Sequence, residues 1–313
     1  MLGKTANGLF WMYRGLERAE NTARLIETGQ RIALTRLGSS EGEWKSVLQT
    51  AGTLDGFLKH NETVTKEAAI DWLLRSKENS SSVLSCIERA RMNARMVRTA
   101  ITLEVWEAMN GTYMRARDAL ARKVSERDLH NALGMIRERA GLVRGATHGT
   151  MLRNDIYDFA RLGTFLERAD NTARILDVKY YVLLPSATAV GSSIDNVQWE
   201  TILRSVSARG GFRMEYGAST EPRDIAQFLI LNPRMPRSLA FCTRKLLDNL
   251  GYLNSDYGLR TPSYTMVDHI ERAYLSFDID AVFEYGLHEF IQKLLFHLGD
   301  VGRQIEIDYR FYE

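Results

Sequence analysis

The 313-residue chain is 45% hydrophobic and 26% charged, so it is long enough to bury one large duplicated core or the cores of two domains. Its net charge of +2 is evenly spread, which excludes the basic stripe of a nucleic-acid binder, and no apolar run approaches the roughly 18 residues that cross a bilayer. The first residues also lack a signal-peptide core, and we therefore expect a cytoplasmic protein without a membrane anchor.

Apolar residues recur mostly at spacings of three and four, whereas the alternating patterns of strands are nearly absent. This pattern predicts an all-α protein. All five prolines follow residue 184, which leaves the earlier chain free of the strongest helix breaker. Thr65, Ser81 and Ser125 are candidate helix N-caps. The predicted helices cover residues 5–36, 44–51, 65–75, 81–109, 112–123, 126–147, 155–184, 195–207, 221–231, 237–253, 263–277 and 281–309.

One stretch of the sequence occurs twice in nearly the same form. "LERAENTARLIE" begins at Leu16, and "LERADNTARILD" begins at Leu166. Further matches, such as "SSVLSC" with "RSLAFC", follow at offsets that rise from 150 to 158 residues. Duplication followed by short loop insertions would leave such a drift. We therefore predict a single domain over residues 1–313, an internally duplicated helical bundle whose halves, 1–150 and 151–313, pack about a pseudo-twofold axis.

Each copy of this motif carries a polar face beside its apolar one. Glu17 and Arg24 share that face, but about 10 Å of helical rise separates them, so each needs a partner outside its own helix. If the two copies lie antiparallel, Glu17 would face Arg174, and Arg24 would face Glu167, at about 4 Å. The candidate network consists of the motif positions in both copies: Glu17, Arg18, Asn21, Arg24, Glu167, Arg168, Asn171 and Arg174.

Two interpretations of this network stay open. A charge network that only fixes how the two halves dock needs no substrate, since buried ion pairs can set register. Alternatively, the same groups line a cavity, where guanidinium groups would hold a carboxylate or phosphate and the glutamates would hold an amine. A third copy, "IERARMNARM", has Met92 at the asparagine position and is a weaker candidate. Secondary candidates are Tyr13, on the aromatic end of the polar face, and three residues of the glycine-punctuated join between the halves: His148, Thr150 and Arg153.

Common catalytic and cofactor signatures are absent from the sequence. None of the six histidines follows a glutamate by three residues, which argues against a di-iron bundle, and there is no His-Glu-x-x-His. Dinucleotide, Walker and serine-hydrolase motifs are also missing. Cys86 and Cys242 form no CxxC pair, so we expect free buried thiols, with no metal and no cofactor.

Several stretches resemble the bacterial Alpha-E family over essentially the whole chain: "GLFWMYRGLERAENTARLIE", "SSSVLSCIERARMNARMVR", "EVWEAMN", "GTMLRNDIYDFARLGTFLERADNTARILDVKYY" and "NPRMPRSLAFC". That family is named for a helical domain with a Glu-Arg motif. The resemblance implies a circularly permuted ATP-grasp partner, similar to carboxylate-amine ligases, which would bind the ATP. It also implies that a transglutaminase-like cysteine peptidase is encoded nearby and is a possible partner. The implied role is ATP-dependent peptide or amide bond formation.

Three functions are compatible with these residues. The favoured one is a non-catalytic subunit that docks on the ATP-grasp ligase and positions an amine or peptide substrate. In the second, the chain is itself an enzyme of amide transfer, with Glu17 or Glu167 as general base. In the third, the chain is a structural scaffold, and the Glu/Arg network only locks its halves together.

Overall fold

The computed structural model describes residues 1–35, 41–182, 193–219 and 221–312, with side chains in 1–31, 41–177, 199–219 and 221–312. Within these ranges the chain is all-α, as predicted, with 15 helices and no strand. The helices are α1 (Gly3–Thr35), α2 (Glu41–Thr50), α3 (Leu54–Leu58), α4 (Lys66–Leu74), α5 (Val83–Met96), α6 (Leu103–Ala119), α7 (Glu126–Thr150), α8 (Asp155–Val182), α9 (Ser193–Ser205), α10 (Arg209–Tyr216), α11 (Pro222–Ile230), α12 (Leu239–Tyr257), α13 (Pro262–Tyr274), α14 (Ile279–Tyr285) and α15 (Leu287–Asp308).

Two of the predicted helices are interrupted in the structure. The predicted helix 81–109 is wrong, because α5 ends at Met96 and Thr102 caps a new helix by accepting a hydrogen bond from the backbone N–H of Val105 at 3.4 Å. The predicted helix 281–309 is also divided, because Gly286 has φ +102° and separates α14 from α15. The short helices α3 and α10 were not predicted. The predicted helix ends at 36 and 184 lie outside the described residues.

Hydroxyl N-caps set several helix starts. Thr65 accepts a hydrogen bond from the N–H of Ala68 at 3.2 Å, and Ser125 accepts one from Asp128 at 3.2 Å, as predicted. The prediction of Ser81 is wrong by one position, since Ser82 is the residue that caps α5. Side-chain caps therefore fix these boundaries to within a residue.

The two long helices that carry the repeated motif, α1 and α8, lie at the centre of the molecule. Helix α1 packs against α5 and α7, and α8 packs against α12 and α15. Around them, α6 bridges α5 and α7, while α13 bridges α12 and α15. The two central helices thus have similar neighbours. The boundary at residue 150 and the origin by duplication stay predictions.

Helices α1 and α8 run side by side in the same direction. Gly163 of α8 crosses α1 so closely that an added Cβ would clash with the carbonyl oxygen of Phe10. Further along both helices Glu17 meets Arg168, and Leu25 and Ile175 line one cavity. Contacts that ascend together along both chains mean a parallel pair. The antiparallel arrangement expected from the sequence is therefore wrong.

The apolar faces of the two motif helices form the middle of the core. The apolar residues of each motif helix fall in one narrow arc along the helix, and all ten are buried: Met12, Leu16, Ala19, Ala23 and Ile26 in α1, and Leu162, Leu166, Ala169, Ala173 and Leu176 in α8. Cys86 and Cys242 are free and buried, as predicted. In the part of the chain that the structure describes, no helix combines the length and apolar character that a membrane span requires.

Candidate functional site

The repeated Glu-Arg pairs meet where α1 and α8 lie side by side, and they pair reciprocally. The Arg168 guanidinium holds Glu17 through two hydrogen bonds, Nε to Oε1 at 2.9 Å and Nη2 to Oε2 at 3.0 Å. The Arg18 guanidinium holds Glu167 in the same way, at 2.5 and 2.8 Å. Each glutamate is thus bound by the arginine that follows its counterpart. We call these four residues and the charged groups that contact them the junction.

The two pairs of the expected cross-network, Glu17 with Arg174 and Arg24 with Glu167, are not the pairs that form. In parallel helices, residues at the same level face each other, so Arg24 comes level with Arg174 rather than with a glutamate. Each of these arginines instead binds an acid one turn earlier in its own helix. Arg24 Nη2 lies 2.7 Å from Glu20, and Arg174 Nε lies 2.7 Å from Asp170.

Glu17 lies in the more buried half of the junction. Besides Arg168, its carboxylate contacts Arg237 Nη1 at 3.0 Å and Arg144 Nη1 at 3.6 Å. Arg237 arrives from the segment before α12, and Arg144 arrives from α7. The Glu17 side chain is only 1% exposed, and those of Arg168 and Arg237 are 11% and 8% exposed. Water therefore has little access to these charges.

Glu20 is a second buried carboxylate of the junction, and the sequence reasoning missed it. It binds Arg24, Arg144 and Arg237, and its side chain is fully buried. An acidic residue stands at this position in both motif copies, Glu20 in the first and Asp170 in the second. The repeated acid could have pointed to Glu20 from the sequence alone. No such repetition pointed to Arg237, because the matching position of the first half is a serine.

The glutamate of α8 has a more open environment. Glu167 also binds Arg14 Nε at 3.1 Å, and Arg18 and Arg14 have side chains that are 30% and 16% exposed. Arg18 Nη1 reaches the Ser81 hydroxyl at 3.4 Å. Ser81 is the residue that matches Arg237 in the repeat. The two sides of the junction therefore share a plan but differ in charge and burial.

Each glutamate acquires a further arginine from a different helix. Arg144 of α7 binds Glu17, and Arg14 of α1 binds Glu167. At the repeat offsets of 158 and 150, the matching residues are Gly302 and Thr164. A Cβ at Gly302 would lie 3.6 Å from Arg14 Nη1, so the missing side chain leaves room for that guanidinium.

The asparagines of the motif do not form a shared centre. Asn21 is buried, and its Oδ1 accepts a hydrogen bond from Arg237 Nη1 at 2.9 Å, while its Nδ2 has no hydrogen-bond partner among the described residues. Asn171 is half-buried and is not bridged to Asn21. The two amides thus lie in different surroundings.

The charges of the junction favour ionised glutamates. Burial alone raises the pKa of the Glu17 carboxyl, but the neighbouring Arg168 and Arg237 outweigh it and hold that pKa well below its usual range. The pKa of Glu167 is also lowered, since Arg18 and Arg14 outweigh its burial. The Glu167 carboxylate in turn raises the pKa of the Arg18 guanidinium. Both glutamates therefore stay charged, with their oxygens occupied by arginines.

The secondary candidates lie outside the junction. Tyr13 is buried, and its hydroxyl lies 2.5 Å from Thr147 Oγ1 and 3.7 Å from Met151 Sδ. Burial raises its pKa, which keeps the phenol neutral. Thr150 is exposed and contacts Thr102 Oγ1 at 2.6 Å.

His148, in the last turn of α7, and Arg153, in the connection to α8, lie close together. The His148 Nδ1 is 2.8 Å from the Tyr157 hydroxyl, and the guanidinium of Arg153 stacks 4.0 Å above the centre of the Tyr157 ring. A cavity opens beside them. Within the described residues, no group of three or more His, Cys, Asp or Glu side chains could hold a metal ion.

A comparison with protein-family models identifies the family of the chain. The Alpha-E family model, described as "a predicted alpha-helical domain with a conserved ER motif", matches residues 1–309. The Glu-Arg pairs of that description correspond to the residues that bind each other across α1 and α8. No curated protein and no solved structure matches the chain.

Proposed function

The chain belongs to the Alpha-E family, and from this premise we propose that it is a non-catalytic helical subunit of a peptide- or amide-forming system in the bacterial cytoplasm. In this proposal it docks on a circularly permuted ATP-grasp carboxylate-amine ligase and positions the substrate for it. The ligase binds ATP, and a transglutaminase-like peptidase is a further proposed partner. The resemblance of the motifs to the family supports these partners.

The geometry of the junction supports a structural rather than a catalytic use of the repeated motif. A general base needs a free lone pair and a pKa near the working pH. Glu17 has neither, because Arg168 and Arg237 occupy its oxygens and lower its pKa. Glu167 is occupied by Arg18 and Arg14 in the same manner. The reciprocal pairing of Glu17 and Glu167 with arginines of the other helix is the observation that carries this part of the proposal.

The proposal is tested by producing the chain together with an ATP-grasp ligase encoded beside it. We expect co-elution in size-exclusion chromatography at micromolar concentration, and ADP release by the ligase that rises when the chain is added. Separate elution at that concentration, with unchanged ADP release, would refute the partnership.

A second measurement separates the subunit from an enzyme. Glu17→Gln should lower the melting temperature, while the folded variant, assayed well below that temperature, still supports ADP release by the ligase. A variant that loses all activity with an unchanged melting temperature would instead identify Glu17 as a catalytic base.

A further inference from the structure

A cavity of about 400 Å³ lies between the first turns of α8 and the second half of α12, apart from the junction. Its volume falls within the range of small-molecule sites. The walls are polar and carry both signs of charge. Arg153, Asp158 and Arg161 line one side, and Asp256 lies on the other.

Among the described residues, the buried carboxylate of this cavity has no partner. Asp158 is 5% exposed, yet its side chain accepts no hydrogen bond and has no ion pair within 4 Å in the described part of the chain. Burial, together with Asp256 and Asp155, raises its pKa to about 7. A buried acid without a partner is costly for the fold, and such groups concentrate at functional sites.

Two arginines of the cavity also have no carboxylate partner in the part of the chain that the structure describes. Arg161 Nη1 contacts His148 Nε2 at 3.1 Å, and its guanidinium lies 4.3 Å from the centre of the Phe165 ring. Arg153 donates hydrogen bonds only to the backbone carbonyls of Met151 and His148. Neither arginine has an acidic group within 4 Å among the described residues. Both guanidinium groups thus retain the capacity to bind an anion.

The histidine beside these arginines orients a hydroxyl group. A guanidinium can only donate, so His148 Nε2 accepts from Arg161, and His148 Nδ1 carries the proton that is donated to the Tyr157 oxygen. Burial and the positive charge of Arg161 lower the pKa of His148, which keeps the ring neutral. The hydroxyl hydrogen of Tyr157 is then free to be donated into the cavity, next to the two arginines.

The corresponding place in the first half of the chain is filled. At the repeat offset of 150, Asp158 matches Gly8 and Arg161 matches Trp11. Gly8 packs so tightly on α5 that an added Cβ would clash with the Val97 side chain. The charged cavity therefore does not follow from the repeated helical plan, and its residues are particular to the second half.

We propose that this cavity binds a small zwitterion that carries both a carboxylate and an ammonium group, such as an amino acid or the paired termini of a short peptide. The carboxylate contacts Arg153, Arg161 and the Tyr157 hydroxyl. The ammonium group contacts Asp158, with Asp256 adding negative charge. This proposal is argued from the charged residues of the cavity alone, and it does not depend on the proposed partner ligase.

Other charged groups around Asp158 shape how binding depends on pH. They come from α8, from α12 and from the segment after α15: Asp155, Arg161, Asp256 and Tyr309. Lys245 and Asp248 of α12 neutralise each other at 2.7 Å on the cavity wall. With its pKa raised to about 7, mainly by burial, Asp158 changes charge near neutral pH. Binding of the zwitterion should therefore weaken about tenfold as the pH falls from 7.5 to 6.

Isothermal titration calorimetry of the full chain with alanyl-alanine tests the site. We expect saturable binding near or below about 1 mM at pH 7.5. N-acetyl-alanyl-alanine, which lacks the ammonium group, and alanyl-alanine amide, which lacks the carboxylate, should each bind roughly tenfold to hundredfold more weakly. Absence of saturable binding by the folded chain, or equal binding of the blocked forms, would overturn the proposal.

Substitutions assign the two ends of the ligand. Asp158→Asn keeps the shape of the side chain and should weaken alanyl-alanine roughly tenfold and remove the pH dependence, with little effect on the N-acetyl form. Arg161→Gln should weaken alanyl-alanine and spare its amide. Asp118→Asn changes an exposed acid of α6 and serves as the matched control. Circular dichroism confirms that each variant is folded. Unchanged binding by folded Asp158→Asn would also overturn the proposal.

Discussion

Replacing Glu17 by glutamine tests whether the junction stabilises the fold. Glutamine keeps the shape but removes the charge that Arg168 and Arg237 share. Loss of one partner of a buried ion pair costs about 3–5 kcal/mol, because the other charge stays buried. Arg237 retains Glu20 and Asn21, which places the expected loss near the lower end, at about 3 kcal/mol.

The same substitution on the other side of the junction should cost less. In Glu167→Gln the released arginines, Arg18 and Arg14, have side chains that are 30% and 16% exposed, so water can solvate them. We expect a loss of about 2 kcal/mol in the free energy of unfolding. Glu88→Gln is the matched control, because Glu88 stands in the third Glu-Arg-Ala copy but is exposed. That change should stay within about 0.5 kcal/mol.

Differential scanning calorimetry measures the ranking of these variants. With an unfolding entropy of about 2.1 cal/mol/K per residue, a loss of about 3 kcal/mol lowers the melting temperature of a chain of this length by roughly 5 °C. The double variant Glu17→Gln/Arg168→Gln should lose less than the sum of its single variants. If Glu17→Gln melts within a degree of Glu88→Gln, the junction does not hold α1 and α8 together, and the reasoning fails.

Other parts of the structure give three further predictions. Gly163→Ala should unfold at a lower temperature, because the added Cβ would clash with Phe10. Gly145→Ala, in open space on α7, should instead stabilise the chain by up to about 1 kcal/mol. Equal melting temperatures of the two variants would contradict the close crossing of α1 and α8. Asp158 has a folded-state pKa of about 7, above its ordinary 3.8, so the folded chain loses stability as pH rises between these values. Asp158→Asn should therefore raise the free energy of unfolding at pH 8 by at most about 4 kcal/mol and leave it unchanged near pH 4, as urea titrations at both pH values would show. Burial raises the pKa of Cys242 to about 12, so this thiol should react with an aromatic disulfide reagent only after unfolding; rapid labelling of the native chain would be the contrary result.

The fold class and the meeting of the two motif helices could be predicted from the sequence, but their direction could not. The apolar arcs, with Ala19 and Ala23 at their centre, indicate which faces are buried and allow close packing. Such arcs are compatible with both parallel and antiparallel pairs. The direction depends on how α1 and α8 pack between α5 and α12, and these contacts are distant in sequence. The mistaken direction led directly to the mistaken partners of Glu17 and Glu167.

The sequence also could not predict the site residues that lie outside the repeated motif. Arg237 and Arg144 join the junction from elements that the motif does not contain. Asp158 looks like an ordinary acid in the first turn of a helix, where it would favour the helix dipole. Its lack of a partner becomes visible only when α12 is placed against it. In contrast, Arg153, chosen for its place in the join, does line the cavity, and His148 contacts the lining residues Tyr157 and Arg161.

The central position of α1 also affects how the protein is made. Helix α1 is synthesised before α8, so Arg168, which neutralises Glu17, follows about 150 residues later, and Arg237 follows later still. At a synthesis rate of about 5–20 residues per second, roughly 8–30 s pass before α8 is available to pack against α1. Among the long helices that the structure describes next to α1, α5 and α7 are synthesised before α8. The side of α1 that packs against α8 therefore stays exposed until α8 has been synthesised.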